Sequence, residues 1–273
     1  MTDATKNEII ALGRTAEIYA YGEGHILKLL RPQLPEHVMD EEFKISKTIF
    51  SSGIPSPQPV DLIYYNGRKG IVYERINGNT MLKSISRKLW TVNKEALRMA
   101  SLHKAVHEKT VDDLPKQREI LNYQIQHAPL LTIEEKDQIL NLLSNLKDDN
   151  KLCHGDFHPD NIIIGEREWI IDWMTGMSGN PAGDVARTIL LIQHGSTPEK
   201  TPRIVLSIFS RVRRQILKHY IREYTRDSVI DRKEIDQWII PIAAARLTEW
   251  IPEEEKRKLV ELIRETIIVP NQS

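Results

Sequence analysis

The sequence has almost no capacity for disulfide bonds. Cys153 is the single cysteine in 273 residues, so an intramolecular bridge is excluded. Lys151-Leu152-Cys153 is typical of the end of a short buried strand, where a free cysteine behaves as a small apolar residue. This pattern favours a structural role for Cys153 over a nucleophilic one.

An excess of either charge is also missing. Lys and Arg together number 38, as do Asp and Glu, whereas nucleic-acid binders usually carry a basic surplus. No apolar run approaches the roughly 18 residues of a spanning helix, and the start MTDATKNEII lacks the basic-then-apolar order of a secretory signal. We therefore expect a cytoplasmic protein with neither a nucleic-acid nor a membrane partner. The sequence does not indicate an oligomeric state.

What is present is the composition of an ordinary folded protein. Hydrophobic residues make up 40% and charged residues 28% of the chain, close to the averages for soluble domains. The length suits either one large domain or two lobes. We find no internal repeat and no low-complexity tract.

The N-terminal part is rich in strand signals. In Glu17–Leu30, EIYAYGEGHILKLL, two strand-like runs flank Gly22-Glu23-Gly24, which predicts a hairpin. Lys28 falls on the second strand, on the same face as Ile26 and Leu30. A lysine among apolar strand residues indicates an anionic partner.

A helix and a second hairpin follow. Residues Met39–Phe50 have the spacing of a helix, and Asn66-Gly67 in DLIYYNGRKGIVYERI is a strong turn signal between strands. After Gly78 helical spacing dominates, for example in Thr132–Leu146, where Thr132 with Glu135 resembles a capping box. We therefore predict a strand-rich domain at 1–76 and a mainly helical domain at 77–273.

The most informative stretch is LCHGDFHPDNIIIGEREWIIDW, residues 152–173. It contains His154-x-Asp156-x-x-x-x-Asn161, a strand-turn-strand pattern, and then Asp172 after the second predicted strand, Trp169–Ile171. Phosphoryl transfer requires a carboxylate that accepts the proton of the attacking hydroxyl, and metal ions that neutralise phosphate charge. Asp156, Asn161 and Asp172 have the residue types and spacing for these tasks.

These motifs resemble the aminoglycoside phosphotransferase and choline kinase family. The resemblance covers most of the chain and includes HGDFHPDN, IIDW and the later segment GNPAGDVAR. It implies an α+β, bilobal protein-kinase-like fold with a small N-terminal antiparallel sheet lobe carrying one helix, and a larger, mainly helical C-terminal lobe. It also implies an enzyme that transfers the γ-phosphoryl group of ATP, or another NTP, to a hydroxyl of a small molecule, with Mg²⁺ as cofactor.

By the same resemblance Asp156 is the catalytic base, and Asn161 and Asp172 bind magnesium. Lys28 contacts the nucleotide phosphates and pairs with a helix carboxylate. Glu42 is favoured over Glu41 as that partner, although one residue of helix slippage reverses the choice.

Further nucleotide-binding residues follow from the resemblance alone. Gly13, Arg14 and Thr15 fall where the family places a loop over the phosphates, but the G-x-G-x-x-G of protein kinases is lacking. Tyr73, Glu74 and Ile76 align with the segment between the lobes whose backbone hydrogen-bonds adenine. Asp184 is read as a brace for the catalytic loop, with a substrate role as the alternative.

Two other functions compete with this interpretation. His154, Asp156 and His158 could bind a transition metal in a metal-dependent hydrolase, but this leaves Asn161 and Asp172 without a task. The chain could also be a catalytically silent kinase-fold module that only binds nucleotide.

The acceptor is left open by the sequence. An aminoglycoside needs carboxylates in its pocket, and a quaternary ammonium such as choline needs an aromatic box; a sugar or another metabolite is a third option. The candidate residues lie near the end of the chain, and each also has a structural explanation: Glu249, Glu253, Glu254, Glu255, Trp238 and Trp250.

Overall fold

The computed structural model describes residues 8–13, 15–195 and 202–267. The chain divides into two compact units. The first combines residues 1–83 with the later segment 160–175, and the second combines 84–159 with 176–273. The domain boundary between residues 76 and 77 stays a prediction.

Strands dominate the first part of the chain and helices the remainder. The strands are β1 (Ile9–Leu12), β2 (Ala16–Tyr21), β3 (His25–Leu30), β4 (Pro59–Tyr65), β5 (Arg68–Glu74), β6 (Asn79–Thr80), β7 (Lys151–Cys153), β8 (Ile162–Ile164), β9 (Glu168–Ile170) and β10 (Met177–Gly179). The helices are α1 (His37–Ser51), α2 (Met81–Arg87), α3 (Val92–His107), α4 (Gln117–Gln126), α5 (Ile133–Asn145), α6 (Pro181–His194), α7 (Arg203–Thr225), α8 (Arg232–Arg246) and α9 (Glu253–Thr266). The predicted α+β class is confirmed.

The first unit contains an antiparallel five-stranded sheet in the order β1-β2-β3-β5-β4. The two predicted hairpins, β2-β3 and β4-β5, are both present. At the second hairpin Asn66 and Gly67 have φ values of 51° and 73°, the left-handed backbone that two-residue hairpin turns require.

The two faces of this sheet bury different residues because side chains alternate along a strand. Leu30 and Ile71 pack with Met39 of α1 on one face. Leu27 and Val72 form a separate apolar cluster on the other. Lys28 shares its face with Leu30, as the alternation predicts, and therefore points toward the α1 side.

The segment 160–175 adds a small sheet to the first unit, with strand order β6-β8-β9. The predicted second strand of this segment, Trp169–Ile171, is observed one residue earlier as β9. The Ile171 backbone N–H donates to the Asn161 carbonyl at 3.0 Å. This bond ties the end of the small sheet to the residue before β8.

Helices make up most of the described part of the second unit, which also contains the short β7-β10 pair. The predicted capping box is confirmed: Thr132 caps α5 while the Glu135 carboxylate accepts the Thr132 N–H at 2.8 Å. Asn180 caps α6, where Pro181 occupies the first turn. Cys153 ends β7 fully buried, and burial raises the pKa of its thiol well above the usual value.

Among the described residues, no helix combines the length and the apolar character needed to cross a bilayer.

Candidate active site

Lys28 forms two short ion pairs within the first unit. Its Nζ lies 2.7 Å from Oε1 of Glu42 and 2.7 Å from Oδ1 of Asp172. Burial by itself lowers the pKa of the Lys28 ammonium, but the charges of Asp172 and Glu42 outweigh burial and raise that pKa. Lys28 is therefore a permanently charged cation held between two carboxylates.

Glu42, not Glu41, pairs with Lys28. Glu42 lies on the buried stripe of α1, whereas Glu41 is exposed. The same stripe includes Met39, Ser46 and Ile49. Glu42 is only 1% exposed, and burial raises its pKa against the opposing effect of Lys28. Its Oε1 also accepts from the Tyr73 hydroxyl at 3.1 Å. The carboxylate thus fixes both the lysine and the tyrosine.

Asp172 and Asn161 are the predicted metal ligands, and both lie in the first unit. The Asp172 side chain is 39% exposed, and its backbone has φ 64°. That left-handed conformation is uncommon for a residue with a side chain and is found preferentially at functional sites. Carboxylate and amide oxygens are ligands that Mg²⁺ accepts, so the residue types fit this ion.

The predicted phosphate loop is only partly described. Gly13 N–H donates to the Ala16 carbonyl at 2.8 Å, and the Gly13 carbonyl accepts from the Arg31 guanidinium at 2.8 and 3.0 Å. Thr15 precedes β2, and its carbonyl accepts from the Arg31 N–H at 2.9 Å. Arg14 lies outside the described residues. The phosphate contacts of this loop stay a prediction.

The three residues predicted to bind adenine lie at and beyond the end of β5. Tyr73 is buried within the strand and its hydroxyl contacts Ser46 at 2.8 Å. The Glu74 N–H donates to the Gln58 carbonyl at 3.0 Å, while Ile76 follows the strand and is half-buried. Their contact with adenine stays a prediction.

Asp156, the predicted base, lies in the second unit on the loop after β7. The chain turns at Gly155, whose φ of 76° is in the left-handed region that favours glycine. His154 is fully buried, and its Nδ1 accepts the Asp156 N–H at 3.1 Å. The turn at Gly155 and the hydrogen bond to His154 together fix the backbone from which the Asp156 side chain projects.

The Asp156 carboxylate is 30% exposed and lies 3.4 Å from Nε2 of His158. Burial raises the pKa of Asp156, but the hydrogen bond and charge of His158, with the charge of Arg187, outweigh burial and hold the pKa below its usual value. Asp156 is therefore ionised across the physiological range, as a proton acceptor must be.

Asp184 holds this loop from the start of α6. Its Oδ2 accepts the His154 N–H at 2.6 Å and its Oδ1 accepts the Gly155 N–H at 2.9 Å. Burial raises the pKa of Asp184, but hydrogen bonds from His103 and His107 outweigh it and keep the pKa well below the usual value. The geometry is that of a brace.

Two histidines of α3, four residues apart, complete the environment of Asp184. Nε2 of His103 and Nε2 of His107 lie 3.0 and 3.2 Å from Asp184 Oδ2, while each Nδ1 lies 2.6 Å from a tyrosine hydroxyl, of Tyr220 and Tyr224 respectively. Since a carboxylate only accepts, each Nε2–H donates to Asp184, and in the neutral imidazole of His103 the Nδ1 atom accepts from the Tyr220 hydroxyl. Burial and the neighbouring His107 lower the pKa of His103 to about 3.

Potential metal ligands do meet among the described residues, but at a different place from the one considered in the sequence. His103, His107 and Asp184 bring their ligand atoms together, and the hydrogen bonds just described engage all of them. His154 and His158 do not belong to this group.

The candidate acceptor-binding residues have mixed positions. Trp238 is 1% exposed and belongs to the core, whereas Trp250 is 74% exposed. Glu249 does not stand free, because its Oε1 accepts from Arg187 Nη1 at 2.6 Å.

Sequence reasoning missed Arg187 altogether. This arginine of α6 lies three residues after Asp184 and donates through Nε to the Gly155 carbonyl. It thereby connects the loop that carries Asp156 to Glu249. The signal available in the sequence was its place at the end of GNPAGDVAR, three residues after the bracing aspartate.

Comparison with known proteins gives the class of this chain. The model of the phosphotransferase enzyme family (APH) matches residues 8–226, so the chain belongs to that family.

Solved structures share the fold. A thermostable mutant of aminoglycoside phosphotransferase APH(4)-Ia, in a ternary complex with AMP-PNP and hygromycin B, aligns over 96% of this chain and 94% of its own, with TM-score 0.64 and 12% identity. ADP-bound aminoglycoside phosphotransferase APH(2'')-Ib aligns over 95% and 93%, with TM-score 0.54 and 19% identity. The predicted kinase-like fold is confirmed.

Among curated proteins, the chain is 28% identical over 217 residues to human acyl-CoA dehydrogenase family member 11. The match covers 65% of this chain and 28% of the human protein. The chain thus spans little more than a quarter of the curated relative it matches.

Proposed function

We propose that this protein transfers the γ-phosphoryl group of ATP, or another NTP, to a hydroxyl of a small molecule. The observation that carries the proposal is the double ion pair of Lys28 with Glu42 and Asp172. A buried lysine held by a helix carboxylate is the arrangement that positions a cation on nucleotide phosphates in kinase-like enzymes. Family membership supports the same reaction class.

Four residues have distinct proposed roles. In the first unit Lys28 contacts nucleotide phosphates, and Asn161 and Asp172 would hold Mg²⁺, which supplies positive charge against the phosphate oxygens. In the second unit Asp156 accepts the proton of the acceptor hydroxyl. The hydroxyl oxygen forms a bond to the γ-phosphorus, the bond from that phosphorus to the β–γ bridging oxygen breaks, and ADP leaves.

The ionisation state of Asp156 supports its role. A carboxylate whose pKa is held low is a weak base, so it serves chiefly to orient the hydroxyl and to take the proton as the oxygen–phosphorus bond forms. Asp184 acts behind it as a positioning residue, because it contacts the backbone of the loop and not the reacting atoms.

A coupled ADP-release screen tests the proposal. Purified protein with Mg²⁺ and ATP is offered pooled hydroxyl metabolites and antibiotics, and a phosphorylated product is sought by mass spectrometry. Asp156→Asn should abolish transfer and leave nucleotide binding nearly unchanged, whereas Asp137→Asn, which changes an exposed aspartate of α5, should retain transfer. Equal turnover of wild type and Asp156→Asn would remove the base assignment.

The alternative of a silent nucleotide-binding module predicts a different outcome. The protein would then bind Mg·ATP with normal affinity and release no ADP with any acceptor. Tight nucleotide binding without turnover across the screen therefore decides for the module.

A further inference from the structure

The four glutamates between residues 249 and 255, which were considered for a polycationic acceptor, are already paired. Each contacts a basic side chain: Glu249 with Arg187 at 2.6 Å, Glu253 with Lys256 at 3.4 Å, Glu254 with Lys258 at 2.7 Å and Glu255 with Arg246 at 2.6 Å. A pocket for several ammonium groups would require carboxylates without such partners. The pairing of these four glutamates therefore disfavours a polycation as the phosphate acceptor.

Arg246, at the end of α8, has hydrogen-bond donors that are not paired within the described part of the chain. It is 2% exposed, and its Nη2 donates to Glu255 Oε1 at 2.6 Å. Neither Nε nor Nη1 has a hydrogen-bond partner among the described residues. A guanidinium always carries its charge and five N–H donors, and leaving buried donors unpaired is costly. Arg246 thus offers unused donors to an anionic oxygen.

Glu249 links this arginine to the catalytic loop. Its Oε1 accepts from Arg187, which itself donates to the carbonyl of Gly155, the residue before Asp156. Its Oε2 lies 3.5 Å from Arg246 Nε, without a hydrogen bond. The Glu249 side chain is 23% exposed, the most accessible member of this set. A single carboxylate therefore stands between two guanidiniums beside the base.

We propose that the phosphate acceptor is a hydroxy carboxylic acid, and that its carboxylate replaces that of Glu249 between Arg187 and Arg246. The inference rests on the proposed function, because it names the acceptor class of that reaction. Carboxylates are the natural partners of arginine. The exposed position of Glu249 allows its side chain to swing toward solvent and leave both arginines to the acceptor.

The test compares short-chain hydroxy carboxylic acids with their methyl esters, which keep the hydroxyl and lose the charge. Binding is followed by calorimetry and transfer by ADP release, for wild type, Arg246→Lys and Glu249→Gln. Arg264→Lys is the control, because Arg264 also pairs with a glutamate, Glu135 at 2.7 Å, far along the chain from the catalytic loop. Thermal unfolding and Mg·ATP binding verify that each variant is folded.

Acids should bind and react while their esters do not. Arg246→Lys should weaken acid binding by roughly tenfold to a hundredfold, the range for a lost charged hydrogen bond, with Mg·ATP binding unchanged. Glu249→Gln should tighten acid binding, because it removes the competing carboxylate. Arg264→Lys should match wild type.

The inference is overturned if esters bind as well as acids, or if Arg246→Lys leaves acid binding unchanged. The proposed function survives either result if the protein transfers phosphate to another acceptor. Phosphate esters that bind through Arg246 more tightly than carboxylic acids overturn the carboxylate assignment. Conversely, acid binding through Arg246 without ADP release overturns the proposed function and leaves a carboxylate site.

Discussion

Nζ of Lys28 lies 2.7 Å from Oδ1 of Asp172, although 144 residues separate them in the chain. The same nitrogen lies 2.7 Å from Glu42. The ammonium therefore compensates a carboxylate that is almost fully buried and another that is partly open to solvent. Substitutions in this cluster should affect stability and nucleotide binding in separable ways.

Removal of Lys28 should destabilise the fold through Glu42. Lys28→Met leaves the buried carboxylate without its cation, at a cost of about 3 kcal/mol in the free energy of unfolding. Glu42→Gln added to Lys28→Met should restore most of this loss. Urea unfolding of both single variants and the double variant measures the coupling, and strict additivity would contradict the buried pair.

The loss in the free energy of unfolding caused by Lys28→Met should depend on pH. In Lys28→Met the ammonium that lowers the pKa of Glu42 is absent while burial still raises that pKa, so the folded variant retains a proton to higher pH than its unfolded chain and than the folded wild type. Stability of the variant relative to wild type should therefore improve as pH falls from 8 to 5. A deficit that is constant over this range would show that Glu42 is not the destabilising charge.

Asp172→Ala should weaken Mg²⁺-dependent ATP binding at least tenfold, which corresponds to about 1.4 kcal/mol. The reason is the loss of a carboxylate proposed to hold the metal ion. Calorimetric titration with ATP in the presence and absence of Mg²⁺ gives the measurement. Asp61→Ala removes an exposed aspartate of β4 and should change neither titration.

Acid should destabilise the protein through His103. Because its pKa is about 3 in the folded state and near 6.5 when unfolded, the unfolded chain takes up a proton first as pH falls below 6.5. The loss attributable to His103 between pH 7 and pH 5 is about 2 kcal/mol. His103→Gln should unfold with a shallower pH dependence over this range, as followed by urea denaturation.

The control for that measurement is His127→Gln. His127 is exposed and its Nδ1 lies 2.7 Å from a backbone carbonyl, so this substitution removes a surface histidine and leaves the buried one in place. A parallel curve for His103→Gln and wild type would contradict a neutral, buried His103.

His158 should set the acid limit of the reaction. His158→Gln removes the hydrogen bond and charge that hold the pKa of Asp156 low, so the acidic limb of kcat/KM should move to higher pH. The profile is measured with an acceptor found in the screen. An unchanged acid limb would indicate that another group controls it.

Local patterns in the sequence predicted much of the fold. The hairpin before Lys28, the Asn66-Gly67 turn and the Thr132 capping box are each specified by residues close together in the chain. Strand alternation also placed Lys28 on the correct face. These features are recoverable because backbone geometry and hydrogen-bonding preferences act over a few residues.

Short-range sequence patterns did not decide which glutamate pairs with Lys28. Glu41 and Glu42 are neighbours on one helix, and only the rotation of α1 against the sheet determines that Glu42 is buried and Glu41 exposed. Similarly, the pairing of Arg187 with Glu249 joins residues from α6 and from the turn after α8, which no short-range pattern connects.

The sequence by itself therefore determined the elements, the motif of Asp156, Asn161 and Asp172, and the family they indicate. Only the tertiary structure decided which of these groups interact. Lys28 pairs with two carboxylates and Asp184 accepts four hydrogen bonds. Arg246 is buried with two nitrogens, Nε and Nη1, that have no hydrogen-bond partner among the described residues. The physical reason is that ion pairs and buried hydrogen bonds depend on distances of a few ångströms between distant parts of the chain, which are set by the packing of whole helices and strands.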